Sequence, residues 1–146
     1  MSSAARRWIV PDGWMPPAGD GPVLGHEAVC LVNLGPEDAE VRLTVLFEDA
    51  QPMVVDGLAC GSMRTRHVRL DVAEEMQGRP LPTETPYALV VDASQPVYVQ
   101  HTRVDTRAPA LTLMTTMGIP ADDALAADSS VASAALSEGT AQGLSS

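Results

Sequence analysis

The side chains best suited to chemistry fall in three short polar segments that interrupt otherwise apolar runs. These are GHE at Gly25 to Glu27, RTRHVRL at Arg64 to Leu70 and VQHTRVD at Val99 to Asp105, and together they hold all three histidines. Alternate residues of an extended strand share a face, so His101, Arg103 and Asp105 project together while Gln100, Thr102 and Val104 project oppositely. The same rule groups His67 with Arg69 and Thr65, and Arg64 with Arg66 and Val68. If the two strands are neighbours or face each other, one surface gathers histidine, arginine and carboxylate from both sides.

Three uses of such a surface are open. Arginine forks with Gln and His hydrogen bonds could fix the hydroxyls or carboxylate of a polar metabolite, with Trp14 covering an apolar face. Three histidines and Glu27 could form an N/O ligand set for zinc. Alternatively, Arg103 pairs with Asp105 or Glu27 in a purely structural network, and each histidine is satisfied locally. Metal binding is the weakest of the three, because no H-x-H or H-x3-H pair occurs and nearby arginines oppose a cation. No metal site and no cofactor are expected. Ser62, Ser94 and Cys60 lack any nucleophile-elbow signature, and neither a P-loop nor a dinucleotide-binding glycine pattern occurs, so the chain is read as non-enzymatic.

The elements that would position these residues are short and β-rich. Candidate strands are Arg7 to Val10, His26 to Leu34, Glu40 to Glu48, Arg64 to Leu70, Tyr87 to Asp92, Val97 to Val104 and Leu111 to Met117, with a weaker one at Met53 to Asp56. Val41, Leu43, Val45 and Phe47 alternate with Arg42, Thr44, Leu46 and Glu48, as a half-buried sheet requires. NLGPEDAE is read as the turn between the second and third runs, and ASQP as the turn between Asp92 and Val97. Val10 to Pro22 is too rich in Pro and Gly for regular structure and is expected to wrap as a loop carrying Trp14, with Trp8 just before it. Only Val72 to Gln77 looks helical. The pattern predicts an all-β fold, a single antiparallel β-sandwich of about seven to eight short strands. Residues 1–120 form the domain. From Ala121 onward the chain is small, polar and faintly acidic, and a flexible tail over 121–146 is expected.

Bulk properties narrow the partners. A formal charge of −10 repels nucleic acid and anionic membranes at long range. All nine basic residues are arginines, and Arg64, Arg66, Arg69, Arg103 and Arg107 flank just two histidines, a clustering suited to fixed hydrogen bonds more than to diffuse attraction. With no run of about 18 apolar residues and no signal-like start, the chain is expected to be soluble and cytoplasmic. Cys30 and Cys60 are read as reduced, structural thiols.

As a set, W-x5-W with PDGWMPP, GHEAVCLVN, RTRHVRL and PVYVQHTRVDTR resemble the sensory rhodopsin transducer family, first associated with a cyanobacterial photoreceptor. The likeness runs from about Arg7 to Met117. It implies a β-sandwich assembled as a homotetramer, with a role as cytoplasmic partner of a light-sensing membrane protein, as a DNA-binding regulator, or as a small-molecule sensor for sugars. The acidic total and the lack of a helix-turn-helix or zinc-finger pattern weigh against DNA. Carried over to this chain, the polar set is His26, Glu27, Asn33, Arg66, His67, Arg69, Gln100, His101, Arg103 and Asp105, with Trp14 added from the loop. The leading expectation is a non-enzymatic domain that binds a sugar or related metabolite; the alternatives are a receptor adaptor and a DNA-binding regulator.

Overall fold

A computed structural model describes residues 3–121. Eight strands form in chain order: β1 Ala5–Trp14, β2 His26–Asn33, β3 Ala39–Phe47, β4 Met53–Cys60, β5 Arg64–Arg69, β6 Pro86–Asp105, β7 Thr112–Met117 and β8 Ile119–Pro120. Every pairing is antiparallel. The fold is therefore the all-β sandwich that the alternation predicts. The proposed tail, from residue 122 on, lies outside the described residues.

One strand organises both layers. The first half of β6 lies between β3 and β1 in a sheet of order β4-β3-β6-β1-β8. Its second half lies between β2 and β7 in a second sheet, with β5 on the far side of β2. Apolar residues on the inner faces meet between the sheets: Val41, Leu43 and Val45 of β3, Val29 and Leu31 of β2, and Leu89, Val91, Val97 and Val99 of β6 are all buried. Trp8 is buried among them and donates its indole N–H to the Val97 and Ala5 carbonyls at 3.0 and 3.1 Å, satisfying the polar edge of a core ring.

Three local expectations are corrected. ASQP is not a turn but the middle of β6. Between the pairs Ala5↔Val97 and Arg7↔Asp92, β1 advances two residues and β6 five, so the extra residues bulge and redirect the strand from one sheet to the other. Pro96 is exposed there, and the Ser94 hydroxyl accepts the Glu40 N–H at 2.9 Å, so turn-forming residues serve a bulge instead. Second, the expected loop from Val10 begins only after Trp14, because a register shift between Val10 and Gly13 absorbs Pro11 and Asp12 within β1. Third, Val72 to Gln77 makes one turn, closed by Met76 N–H on Val72 O at 3.0 Å, and among the described residues no helix forms. A segment this short does not offset the cost of helix nucleation, and Gln77 and Gly78, both at positive φ, end it. The weak fourth strand is longer than expected because Gly57, at φ +75°, carries β4 past a bulge opposite Val41 and Leu43.

At the far end of β2, Asn33 locks the turn into β3. Its amide donates to the carbonyls of Glu37 at 2.7 Å and Cys60 at 3.0 Å, while its side-chain oxygen accepts the Gly35 N–H at 2.9 Å. Asn33→Ala orphans those backbone groups and is expected to destabilise the protein by about 1–3 kcal/mol. The shift in urea midpoint at unchanged m-value measures it; an unchanged midpoint would assign the amide no structural role.

Candidate functional site

Inner-face alternation along β2 places Glu27 in line with Val29, Leu31 and Asn33. Its cross-strand partner is Arg103, and that of Val29 is His101, so β6 presents both side chains to the same end of the sandwich. From the first half of β6, in the opposite sheet, Tyr87 reaches the same point. Glu27 and His101 are fully buried.

The Glu27 carboxylate is met by donors from two other strands, β1 and both halves of β6. Arg103 Nε donates to Oε1 at 2.6 Å, the Trp14 backbone N–H reaches the same oxygen at 3.2 Å, and the Tyr87 hydroxyl donates to Oε2. His101 Nε2 stands 3.5 Å from Oε1 and 3.4 Å from the Tyr87 oxygen, within reach of both. Burial alone pushes the Glu27 carboxyl up; hydrogen bonds from His101, Tyr87 and Arg103 outweigh it and leave the carboxyl below its ordinary range. Burial, reinforced by the neighbouring carboxylate charge, holds the Tyr87 phenol far above its ordinary value, so it stays a donor. Removing one partner of such a buried pair typically costs about 3–5 kcal/mol, because the other charge is then uncompensated.

Two atoms in the cluster lack hydrogen-bond partners although buried: His101 Nδ1 and Arg103 Nη2. The second lies 3.7 Å from the carboxylate of Asp12, a residue whose side chain is 82% exposed, close enough for attraction but too far for a hydrogen bond. Toward solvent, the Arg107 guanidinium lies 4.4 Å from the centre of the Trp14 ring and donates to Asp105 through Nη2 at 2.6 Å. Hydrogen bonds from the Arg107 side chain and backbone hold the Asp105 carboxyl down at about 2.

The structure brings Glu27, His101, Arg103, Asp105 and Trp14 to one end of the molecule. The remaining members of the predicted set stand apart. Because β2 separates β5 from β6, the two polar strands are not neighbours, and His67 and Arg69 lie on the outer face of their sheet. Arg69 is held by Asp71 at 2.7 and 2.8 Å, Arg66 lies 3.7 Å from Glu75 and His67 is exposed. His26 Nδ1 meets the Leu24 carbonyl at 2.8 Å, Gln100 is exposed on the outer face, and Asn33 is occupied by its turn. Among the described residues no three His, Cys, Asp or Glu side chains converge as a metal requires. Tyr87 and Asp12 escaped the sequence reading. The available signal for Tyr87 was its inward alternation with Leu89 and Val91, since a buried phenol needs a partner.

Comparison with known proteins fixes the family. Residues 3–120 match the sequence profile described as Anabaena sensory rhodopsin transducer. The chain belongs to this family. Among solved structures, it is similar to the crystal structure of Thermotoga maritima 1070, with 35% identity and a TM-score of 0.72 over 81% of this chain and 96% of that one. It is also similar to the Anabaena sensory rhodopsin transducer itself, with 36% identity and a TM-score of 0.61 over 73% of this chain and 94% of that one. No curated protein matches. Among the described residues no helix is long and apolar enough to cross a membrane.

The Asp105 to Arg107 pair has a pH signature that Trp14 reports. With its carboxyl depressed to about 2, Asp105 adds stability that is complete above the ordinary carboxylate value of about 4 and is lost as pH falls toward 2. Trp14 fluorescence is therefore expected to change between about pH 4 and 2 as Arg107 is released, and to lose this transition in Asp105→Asn. A transition that survives in that variant would contradict the assignment.

Proposed function

We propose that this chain is a non-enzymatic signalling protein of the transducer family that binds a small polar ligand, sugar-like in chemistry, at the Trp14 end of the sandwich. It works in the cytoplasm as a homotetramer and passes its state to a protein partner. The observation that carries the ligand reading is the buried Arg103 Nη2, which has no hydrogen-bond partner, while Nε of the same guanidinium shares Glu27 Oε1 with the Trp14 backbone N–H. An unpaired buried donor is costly, and a ligand hydroxyl would satisfy it. Asp12 Oδ1 stands 3.7 Å away as an acceptor, and the Trp14 ring, with Arg107 over it at 4.4 Å, adds an aromatic surface at the same end of the sandwich, a pairing of polar and aromatic groups suited to a polyol.

The partner in the alternative reading is a sensory rhodopsin or another membrane receptor, supported by the 36% identity to the Anabaena sensory rhodopsin transducer. DNA is a poorer partner. Arg7, Arg42, Arg66, Arg69, Arg103 and Arg107 are each engaged with a carboxylate, which leaves little free positive charge for phosphates.

Thermal-shift and calorimetric titration with neutral sugars and sugar acids tests the ligand. A true ligand at 100 times its Kd stabilises the fold by about 2.7 kcal/mol. Affinity is expected to fall at least tenfold in Trp14→Ala and in Asp12→Asn, which leave the buried cluster in place, lowering that gain by about 1.4 kcal/mol. Binding unchanged in both variants, or no binding across the panel, would sink the ligand reading.

A further inference from the structure

The turn from β3 to β4 and the segment entering β6 enclose a groove that meets the Glu27 cluster at Tyr87. It comprises a cavity of about 450 Å³ lined by Phe47, Glu48, Asp49, Pro82, Thr85 and Pro86, and a second of about 240 Å³. The two share Phe47, Glu48 and Pro86, and the second also reaches Leu46 and Tyr87. The larger volume falls within the range of small-ligand sites, about 300–1,000 Å³.

The chemistry of its walls is one-sided. Prolines carry no backbone N–H, the Thr85 hydroxyl already donates to Thr83 O at 3.2 Å, and the Tyr87 hydroxyl donates to Glu27. Side-chain donors are thus all committed. Acceptors are not: among the described residues neither Glu48 nor Asp49 forms an ion pair. A groove with apolar walls, two free carboxylates and no free side-chain donor selects an occupant that brings positive charge, its own donors and an apolar body. The chain's overall charge of −10 acts in the same direction.

We propose that this groove docks a basic, apolar peptide segment of a partner protein. An arginine or lysine stem lies along Phe47 and Pro86 with its charge against Glu48 and Asp49, and a neighbouring aliphatic side chain enters the second cavity beside Leu46. Two adjoining cavities that share Phe47, Glu48 and Pro86 match neighbouring side chains of an extended peptide better than a single small cation. The proline walls are rigid before the peptide arrives, which lowers the ordering cost of binding. The inference rests on the partner-binding part of the proposed function, and its test uses peptides alone, so it stands or falls separately from any particular receptor.

The test is fluorescence anisotropy with a short labelled peptide of alternating leucine and arginine, titrated with the full chain. Saturable binding is expected, weakened about tenfold or more in the double variant Glu48→Gln, Asp49→Asn and changed less than about twofold in a control that removes two exposed charges elsewhere, Asp20→Asn with Glu40→Gln. A peptide with serine in place of leucine is expected to bind correspondingly more weakly, a readout that needs no protein variant. Absence of saturable binding would overturn the proposal. So would equal losses in the two double variants, which would mark general charge attraction, or binding of free butylguanidinium as tight as that of the peptide, which would mark a small-cation site.

Discussion

A charged carboxylate buried at the seam of two sheets is the constraint on which the rest of this molecule turns. Glu27 is fully buried, and a buried carboxylate is tolerable only when its lost hydration is replaced by well-placed donors. Here they come from β6 twice, through Tyr87 and Arg103, and from the backbone of β1 at Trp14. The requirement also explains local features of the chain. Gly13 has no side chain because a Cβ there would lie 2.3 Å from the Tyr87 ring, and the ring must stay where it is for its hydroxyl to reach Glu27.

The length of β6 makes this arrangement possible. One strand of 20 residues contributes Tyr87 to one sheet and His101 and Arg103 to the other, and the bulge around Ser94 to Pro96 bends it between them. Cluster geometry is therefore coupled to the angle between the sheets, since a change in that angle moves Tyr87 relative to Arg103. Tyr87 also borders the acidic groove at Phe47. A single side chain thus lies between the proposed ligand end and the proposed peptide groove, which gives a transducer a short physical route from one to the other.

Much of this was legible in the residues. Period-two alternation identified the inner face of β3, and it correctly grouped His101 with Arg103. Strand adjacency was not legible, because alternation says which residues share a face and nothing about which strands pair. For that reason RTRHVRL and VQHTRVD looked like two walls of one site, although β2 lies between them and His67 faces away from His101. The ASQP turn was misplaced for a related reason. Ser, Gln and Pro favour any local break in a ladder, and only the long-range pairing of β6 with β1 makes that break a bulge. Tyr87 stayed hidden because its partner is 60 residues away in sequence.

The central claim is that Glu27 keeps its charge inside the sandwich because the donors around it outweigh burial. Carbon-detected NMR titration of the Glu27 side-chain carboxyl measures this directly. The account predicts a midpoint below the ordinary glutamate value of about 4.3, with the stabilising contribution complete above that value and lost as pH falls through the depressed midpoint. A midpoint above the ordinary value, as burial without compensation would give, would contradict it.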